Sequence, residues 1–190
     1  MPRAGIGLQS GTRRNFADNG TNLLQTLRVA IPSAVLYSVG TPGSETPVCS
    51  QIRMWASSDL VLTPNGAHFI GAPFMAPGSL LFEGVPWSMR QYPGQPMITR
   101  FAQVHHFRLH SNRPPSSAAL APYDMVASET QCEASEACRH RYRDNSDIFF
   151  SSGDFLMQLK PALHIFGCLD SHEWHNPWGK TCADYETPVP

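Results

Sequence analysis

The spacing of hydrophobic and polar residues changes several times along the chain. Five short runs that are apolar or rich in strand formers predict strands, at residues 5–9, 34–39, 60–62, 80–82 and 107–110. The segments between most of these runs repeat apolar residues every three or four positions, which is typical of helices. Because strands alternate with helices, the pattern predicts an α/β fold with a Rossmann-like, doubly wound parallel sheet of about five strands.

Three segments carry the helical spacing, at residues 22–30, 46–56 and 97–107. Thr21 is the predicted N-cap of the first helix, and Thr46 with Pro47 opens the second. His105 and His106 are interpreted as ordinary histidines at the end of the third. The predicted buried face of the second helix consists of Val48, Ile52, Trp55 and Ala56.

Three stretches are predicted to lack regular structure: a Pro/Gly-rich loop at 84–96, a linker at about 111–135, and a tail at 167–190. Residues 138–144 form a basic cluster, which is either a second patch facing phosphate or a solvated surface.

Composition limits the classes of partner. With 190 residues, 42% of them hydrophobic, the chain has the size of one globular domain. Its 14 basic and 15 acidic residues nearly cancel, so no field of one sign attracts nucleic acid or a membrane surface. No apolar run is long enough to predict a membrane segment, and the N-terminus lacks the apolar core of a signal peptide. Taken alone, these features favour a soluble cytosolic chain.

Five cysteines leave one unpaired in any compartment. Cys132 and Cys138 are close in sequence, as are Cys168 and Cys182, and either pair could bridge in an oxidising lumen.

The candidate chemistry centres on residues 57–83. A turn, Asn65-Gly66-Ala67-His68, separates the strand at 60–62 from a short apolar helix and the strand at 80–82. Gly66 allows close approach of the backbone to a ligand, and the helix start behind it offers N–H groups to a phosphate. Glu83, predicted to close the second strand, could bind ribose hydroxyls. The alternative is an ordinary βαβ unit with a Gly at its turn.

Arg13 and Arg14 follow the first predicted strand. Arginines at a strand end can clamp a diphosphate bidentately, although adjacent arginines in a loop are more often a solvated surface.

The central stretch resembles the signature of the family 61 glycosyltransferases, which runs as a strand, His-Gly-Ala-Gly, an apolar segment, Pro-Gly-Ser, apolar residues and Glu. The positions that match are Ala56, Asp59, Gly66, Ala67, Phe74, Pro77, Gly78, Ser79 and Glu83. Asn65 stands in place of the family's His, and His68 in place of its second Gly. The likeness is closest over residues 13–83 and extends loosely to about 166, so the lobe that it implies covers residues 1–166. It also implies a short strand at 147–150 and a C-terminal helix at 153–165, whose buried stripe would consist of Phe155, Leu156, Leu159, Leu163 and Phe166.

The resemblance implies the C-terminal, donor-binding lobe of a two-lobe glycosyltransferase of the GT-B type. Such an enzyme transfers a sugar from a nucleotide donor, here a UDP-sugar, to a hydroxyl acceptor on protein or polysaccharide. The implied donor-binding residues are Arg13, Arg14, Asn65, Gly66, Ala67, His68 and Glu83, while the catalytic residues stay unknown. No Asp-x-Asp dyad occurs in the sequence, so neither a metal nor another cofactor is indicated.

The resemblance also implies a location in the Golgi or endoplasmic reticulum lumen and a missing N-terminal lobe that carries the acceptor side. On this view the chain is a truncated sequence or a lone donor-binding lobe. Two alternatives remain: a non-catalytic nucleotide-sugar-binding or interaction module, and another nucleotide binder such as a dehydrogenase. The absence of Gly-x-Gly-x-x-Gly argues against the dehydrogenase.

Overall fold

The computed structural model describes residues 3–8, 16–31, 35–40, 47–91, 96–115, 117, 120–121 and 128–170. The strands are β1 (Arg3–Leu8), β2 (Val35–Gly40), β3 (Leu60–Pro64), β4 (Leu80–Val85) and β5 (His105–His110). The α-helices are α1 (Thr21–Ala30), α2 (Val48–Ala56), α3 (Pro96–Ala102), α4 (Glu129–Ala134), α5 (Glu136–Asn145) and α6 (Ser152–Asp170). Three 3₁₀ helices occupy Ala17–Gly20, Ala67–Phe74 and Trp87–Met89.

The strands form one five-stranded sheet in the order β2-β1-β3-β4-β5. Every neighbouring pair is parallel. Strand β3 lies at the centre, and all of its residues are buried. The predicted α/β class and the parallel sheet of about five strands are confirmed.

Successive residues of β3 and β4 supply two separate cores, as expected for a parallel sheet covered on both faces. On one face, Leu62 and Phe82 pack with residues of α1 and α6 such as Leu27 and Phe155. On the other, the core consists of Trp55, Val61, Phe69, Ala72, Met75, Leu81, Ala102 and Val104. Helices therefore cover both faces, which makes the sheet doubly wound.

Helix α1 begins at Thr21 and follows Gly20, whose left-handed backbone (φ 71°) precedes the first turn. The prediction that Thr21 caps this helix is therefore wrong by one position. Helix α2 follows Pro47 as its N-cap rather than including it. Thr46 lies outside the described residues.

The predicted buried face of α2 is mostly wrong. Val48 is 68% exposed and Ala56 is also exposed, whereas Trp55 is buried. The Trp55 indole approaches the backbone so closely that a Cβ added at Gly71 would lie 1.9 Å from its ring. One large ring thus fills the space between helix and sheet that several smaller residues were expected to fill.

The third predicted helix is too long. Helix α3 ends at Ala102, Gln103 adopts a positive φ of 55°, and β5 begins at His105. His105 and His106 are therefore strand residues, which corrects their interpretation as helix-end histidines. The backbone N–H of His105 donates to the Ser79 carbonyl at 2.8 Å and starts the pairing with β4.

Strand β4 continues to Val85, so Glu83 lies inside the strand and does not close it. The predicted loop at 84–96 also holds the 3₁₀ helix at 87–89, while residues 92–95 lie outside the described residues. The predicted linker is wrong at its end, because α4 occupies residues 129–134.

Residues 147–150 form isolated bridges, Phe16 with Ile148 and Asn112 with Phe149, instead of the predicted short strand. Helix α6 runs to Asp170, beyond the predicted domain limit at 166. Of its predicted buried stripe, Phe155 and Leu159 are buried and Leu156 is 37% exposed; the side chains of Leu163 and Phe166 lie outside the described residues.

Two phenylalanines give a matched test of this architecture. Phe82 in β4 is fully buried, whereas Phe101 in α3 is 83% exposed. We expect Phe82→Ala to lower the free energy of unfolding by about 3–5 kcal/mol because it opens a cavity in the core. Phe101→Ala should change it by about 0.5 kcal/mol or less, as is usual at the surface. Urea unfolding measures both values, and equal effects would contradict the assigned core.

Candidate functional site

The carboxyl ends of β1 and β3 lie side by side, because β1 pairs with β3 as well as with β2. From β1 the chain continues to β2 on one side, and after α2 it returns to β3 on the other. This reversal is the switch point at which open α/β sheets bind ligands. The turn at 65–66 leaves the sheet from the end of β3, while residues 9–15, which follow β1 in the sequence, lie outside the described residues.

Gly66 has φ 157° and ψ −162°, a backbone region open almost only to glycine. It directly precedes the 3₁₀ helix Ala67–Phe74, whose first N–H groups have no partner within the helix. The backbone N–H of Asn65 donates to the Gly84 carbonyl at 2.8 Å, which ties the turn to β4. Gly66 therefore lies in the turn directly after the carboxyl end of β3.

Glu83 is completely buried beneath this turn. One carboxylate oxygen, Oε1, accepts a hydrogen bond from the Asn65 side-chain amide. The other, Oε2, lies 2.9 Å from His106 Nε2 and 3.4 Å from Arg108 Nε. The network therefore joins three adjacent strands or their ends around one carboxylate.

Electrostatics keep Glu83 ionised. Burial alone would raise its pKa, but hydrogen bonds from His106 and Asn65, with nearby positive charge including that of Arg108, outweigh burial and lower the pKa. A carboxylate that accepts several hydrogen bonds is stabilised in its charged form. Glu83 therefore carries a negative charge at neutral pH.

Further contacts hold His106 and Arg108, the partners of Glu83, in place. His106 Nδ1 lies 3.4 Å from the hydroxyl of buried Thr99, and the Phe69 ring covers the imidazole with centroids 5.4 Å apart. The Arg108 guanidinium donates to the carbonyls of Met89 and Arg90, each at 3.4 Å. These contacts connect the buried carboxylate to the 3₁₀ helix at 67–74 and to the loop after β4.

The structure brings three of the predicted donor-binding residues together: Asn65, Gly66 and Glu83. Ala67 and His68 begin the 3₁₀ helix, but their side chains lie outside the described residues, and so do Arg13 and Arg14. Ribose binding by Glu83 stays a prediction. It would require a ligand to displace Asn65 or His106 from a carboxylate that has no exposed surface.

Sequence reasoning missed His106 and Arg108. From His106 to His110 polar residues alternate with Phe107 and Leu109, which is the two-residue period of a strand. That alternation was hidden because Met97, Phe101 and Val104 continue a helical spacing into it. Read as a strand, the segment places His106 and Arg108 on the same face of the sheet as Glu83.

The basic cluster at 138–144 lies in α5. Arg139, His140 and Arg143 line a cavity of about 350 Å³ against the loop after β4. Arg143 binds Asp144 through two hydrogen bonds of 2.7 and 2.8 Å, and Arg139 donates to the Glu133 carbonyl. Phosphate binding here stays a prediction, because part of the donor capacity is already used within the protein.

A disulfide joins Cys132 and Cys138, and both residues are fully buried. It confirms one of the two pairs that the sequence left open. The bridge packs against Trp87, Leu120 and Tyr142 and links α4 to α5. Cys182 and the side chain of Cys168 lie outside the described residues.

Within the described ranges, no helix is both long and apolar enough to span a bilayer. The same part of the chain contains no group of three or more His, Cys, Asp or Glu residues that could hold a metal ion. A comparison with protein-family models gives no match, and a comparison with curated proteins gives none either.

The lowered pKa of Glu83 predicts a stability that depends on pH. The ionised network stabilises the folded state fully above pH 4.5, the ordinary pKa, and this stabilisation is lost as pH falls through the lower pKa of the folded state. We expect Glu83→Gln to lower the free energy of unfolding by about 3–5 kcal/mol near neutral pH, since it leaves Arg108 without its buried partner.

The difference between this variant and the wild type should narrow as pH falls below 4.5. Urea unfolding across a pH series measures the difference. Glu136→Gln serves as the control, because that side chain is 77% exposed and its curve should follow the wild type. A constant difference down to low pH would contradict the assigned role of Glu83.

Proposed function

We propose that this chain is the nucleotide-sugar-binding lobe of a glycosyltransferase similar to family 61, with a UDP-sugar as donor. The observation that carries the proposal is the switch point between β1 and β3, because Gly66 directly follows β3 there. Arg13 and Arg14 follow β1 in the sequence. The sequence resemblance and the position of Gly66 in the fold thus both indicate the turn after β3.

In the proposed reaction, the bond between the sugar's anomeric carbon and the diphosphate breaks, and the acceptor hydroxyl oxygen forms the new bond to that carbon. The diphosphate leaves with the electron pair, and the hydroxyl proton passes to a base that the sequence does not identify. The lobe contributes by neutralising charge on the leaving group. Arg13, Arg14 and the backbone N–H groups after Gly66 supply that charge stabilisation.

Glu83 takes a positioning role in this scheme. Its carboxylate holds the Asn65 amide, and Asn65 directly precedes Gly66. A buried charge with fixed partners resists rotation of the turn, because any rotation would break hydrogen bonds that water cannot replace. The backbone at Gly66 is thereby held in one geometry before a ligand arrives.

The buried disulfide supports the proposed location in the Golgi or endoplasmic reticulum lumen. Disulfides persist in oxidising compartments and are rare in the cytosol, where thiols are kept reduced. Cys132 and Cys138 are packed among aromatic and aliphatic side chains, so the bridge is part of a core. The proposed second lobe of a GT-B enzyme is supported only by the family resemblance.

One observation favours a second candidate, a non-catalytic nucleotide-sugar-binding or interaction module. Asn65 occupies the place of the family's His, is 4% exposed, and uses its amide internally to bind Glu83. An amide does not titrate between pH 5 and 8 as imidazole does, so it cannot relay a proton. Binding of the donor without transfer would identify this candidate.

Nucleotide titration tests the binding step. We expect Arg14→Ala to weaken UDP affinity by about 10- to 150-fold, the effect of losing a hydrogen bond to a charged group. The control is Arg100→Ala, an exposed position in the last turn of α3, before the amino end of β5. Equal UDP affinity in wild type, Arg14→Ala and Arg100→Ala would show that the arginines at 13 and 14 are a solvated surface.

A second test concerns transfer. Transfer requires the acceptor hydroxyl to be held at reacting distance. The family resemblance implies that the residues that hold the acceptor belong to the N-terminal lobe. We therefore expect the 190-residue chain to bind UDP weakly and to form no glycoside by itself. Mass spectrometry of incubations with a panel of nucleotide sugars and hydroxyl acceptors measures this. Multiple turnovers by the chain alone would contradict the expectation, whereas activity on addition of an N-terminal lobe would support it.

A further inference from the structure

A second cavity of about 350 Å³ lies two strands away from the switch point, at the carboxyl ends of β4 and β5. Its volume is within the range of small-molecule sites in proteins. The loop after β4, the end of β5, α4 and α6 form its walls. The titratable residues that line it are Arg90, His110, Arg113, Glu129 and Asp154.

The walls of this cavity are fixed by hydrogen bonds. Gln158 of α6 accepts from the His110 backbone N–H at 2.6 Å and donates to its carbonyl at 3.0 Å. Arg113 lies over the Trp87 ring, 5.0 Å from its centroid. Asp154 Oδ2 accepts hydrogen bonds from Asn112 and Ser151. These residues are positioned by the protein and require little rearrangement for binding.

Two polar atoms beside the cavity are shielded from solvent and lack a hydrogen-bond partner among the described residues. They are Nδ1 of His110 and Oε1 of Glu129. The second oxygen of Glu129 lies 3.3 Å from Arg90 Nε. Both residues line the cavity, and leaving a buried polar group unpaired is unfavourable. A ligand that satisfies them is therefore favoured.

The pKa values of these two groups move in opposite directions. Burial and the charges of Arg108 and Arg90 lower the pKa of His110, against weaker opposing effects of Glu83 and Glu133. Burial raises the pKa of Glu129, with Arg90 opposing and Glu133 reinforcing the shift. A neutral imidazole can donate or accept one hydrogen bond at each nitrogen, depending on its tautomer.

The charge of the lining selects the class of ligand. Two guanidinium groups, Arg90 and Arg113, are balanced by the carboxyl groups of Glu129 and Asp154. A phosphate would meet two carboxyl groups, and a cation would meet two guanidinium groups. A neutral ligand whose groups both donate and accept hydrogen bonds meets neither penalty, and a hydroxyl has this property.

We propose that the cavity at the ends of β4 and β5 binds a neutral monosaccharide unit, with its hydroxyls paired to Glu129, His110 and the two arginines. Neighbouring hydroxyls can donate to the carboxyl oxygens and accept from the guanidinium groups at the same time. The inference does not rest on the proposed function, because it requires neither a nucleotide nor a transfer step. The sugar can be a free unit, part of a glycan, or the sugar of a nucleotide donor.

Ligand-observed NMR on the full chain tests the inference with methyl glycosides of neutral hexoses and pentoses. Inorganic phosphate, glycine and UDP serve as comparison ligands. We expect saturable binding of at least one methyl glycoside, weakened at least about tenfold by Glu129→Ala, the scale of a lost hydrogen bond to a charged group. The matched control is Glu136→Ala, a carboxylate on α5 that does not line the cavity.

A readout in the unmutated protein covers the case in which the Glu129 variant fails to fold. The imidazole resonances of His110, assigned by comparison with His110→Gln, should shift as the glycoside saturates the protein. If a UDP-hexose displaces the methyl glycoside and UDP does not, the natural ligand of the cavity is the sugar of a nucleotide donor. If a UDP-hexose does not displace the methyl glycoside, the natural ligand is a free sugar or part of a glycan. Both outcomes support the proposal.

Three results would overturn it. The first is no shift of His110 with any glycoside, which leaves ordered water as the only occupant. The second is glycoside binding that a folded Glu129→Ala protein retains in full. The third is saturation by phosphate or glycine alone. UDP binding is measured separately. The proposed function can therefore be contradicted while the sugar site is supported, and the sugar site can be contradicted while the proposed function is supported.

Discussion

A buried carboxylate constrains the whole carboxyl edge of the sheet. Glu83 lies on a central strand without exposed surface, and an ionised group there is tolerated only with hydrogen-bond partners or opposite charge. Those partners come from both neighbours: Asn65 at the end of β3, and His106 and Arg108 in β5. The register that places Thr63, Glu83 and Arg108 in one row is therefore fixed by charge as well as by packing.

The Glu83 network supports two different parts of the carboxyl edge of the sheet. Towards β3 the network holds a turn whose backbone only glycine readily adopts, and that turn faces the switch point. Towards β5 the Arg108 guanidinium binds the carbonyls of Met89 and Arg90, and Arg90 lines the cavity at the ends of β4 and β5. A nucleotide at the first place and a sugar at the second would thus share one rigid support.

Much of the fold could be predicted because β3 and β4 are short apolar runs with a helical segment between them and turn residues at their ends. The strand β5 was only partly predicted, since its polar residues face a buried carboxylate that no local pattern reveals. The predicted site included Asn65, Gly66 and Glu83 among seven donor-binding residues, but not the other partners that hold Glu83 in place. Asn65 and Glu83 bond each other directly, but the other partners of Glu83 are His106 and Arg108, more than 20 residues after it in the sequence, so the complete network depends on the register of the sheet.

The pairing of Gln158 with the His110 backbone has a consequence for how copies of this protein behave towards one another. Strand β5 is the last in the sheet, and an outer strand offers unpaired N–H and C=O groups to any passing chain. At His110 a side-chain amide from α6 already occupies both groups, as a neighbouring strand would. The helix therefore closes the margin of the sheet at the point nearest the cavity, and opposes the edge-to-edge growth through which parallel sheets aggregate.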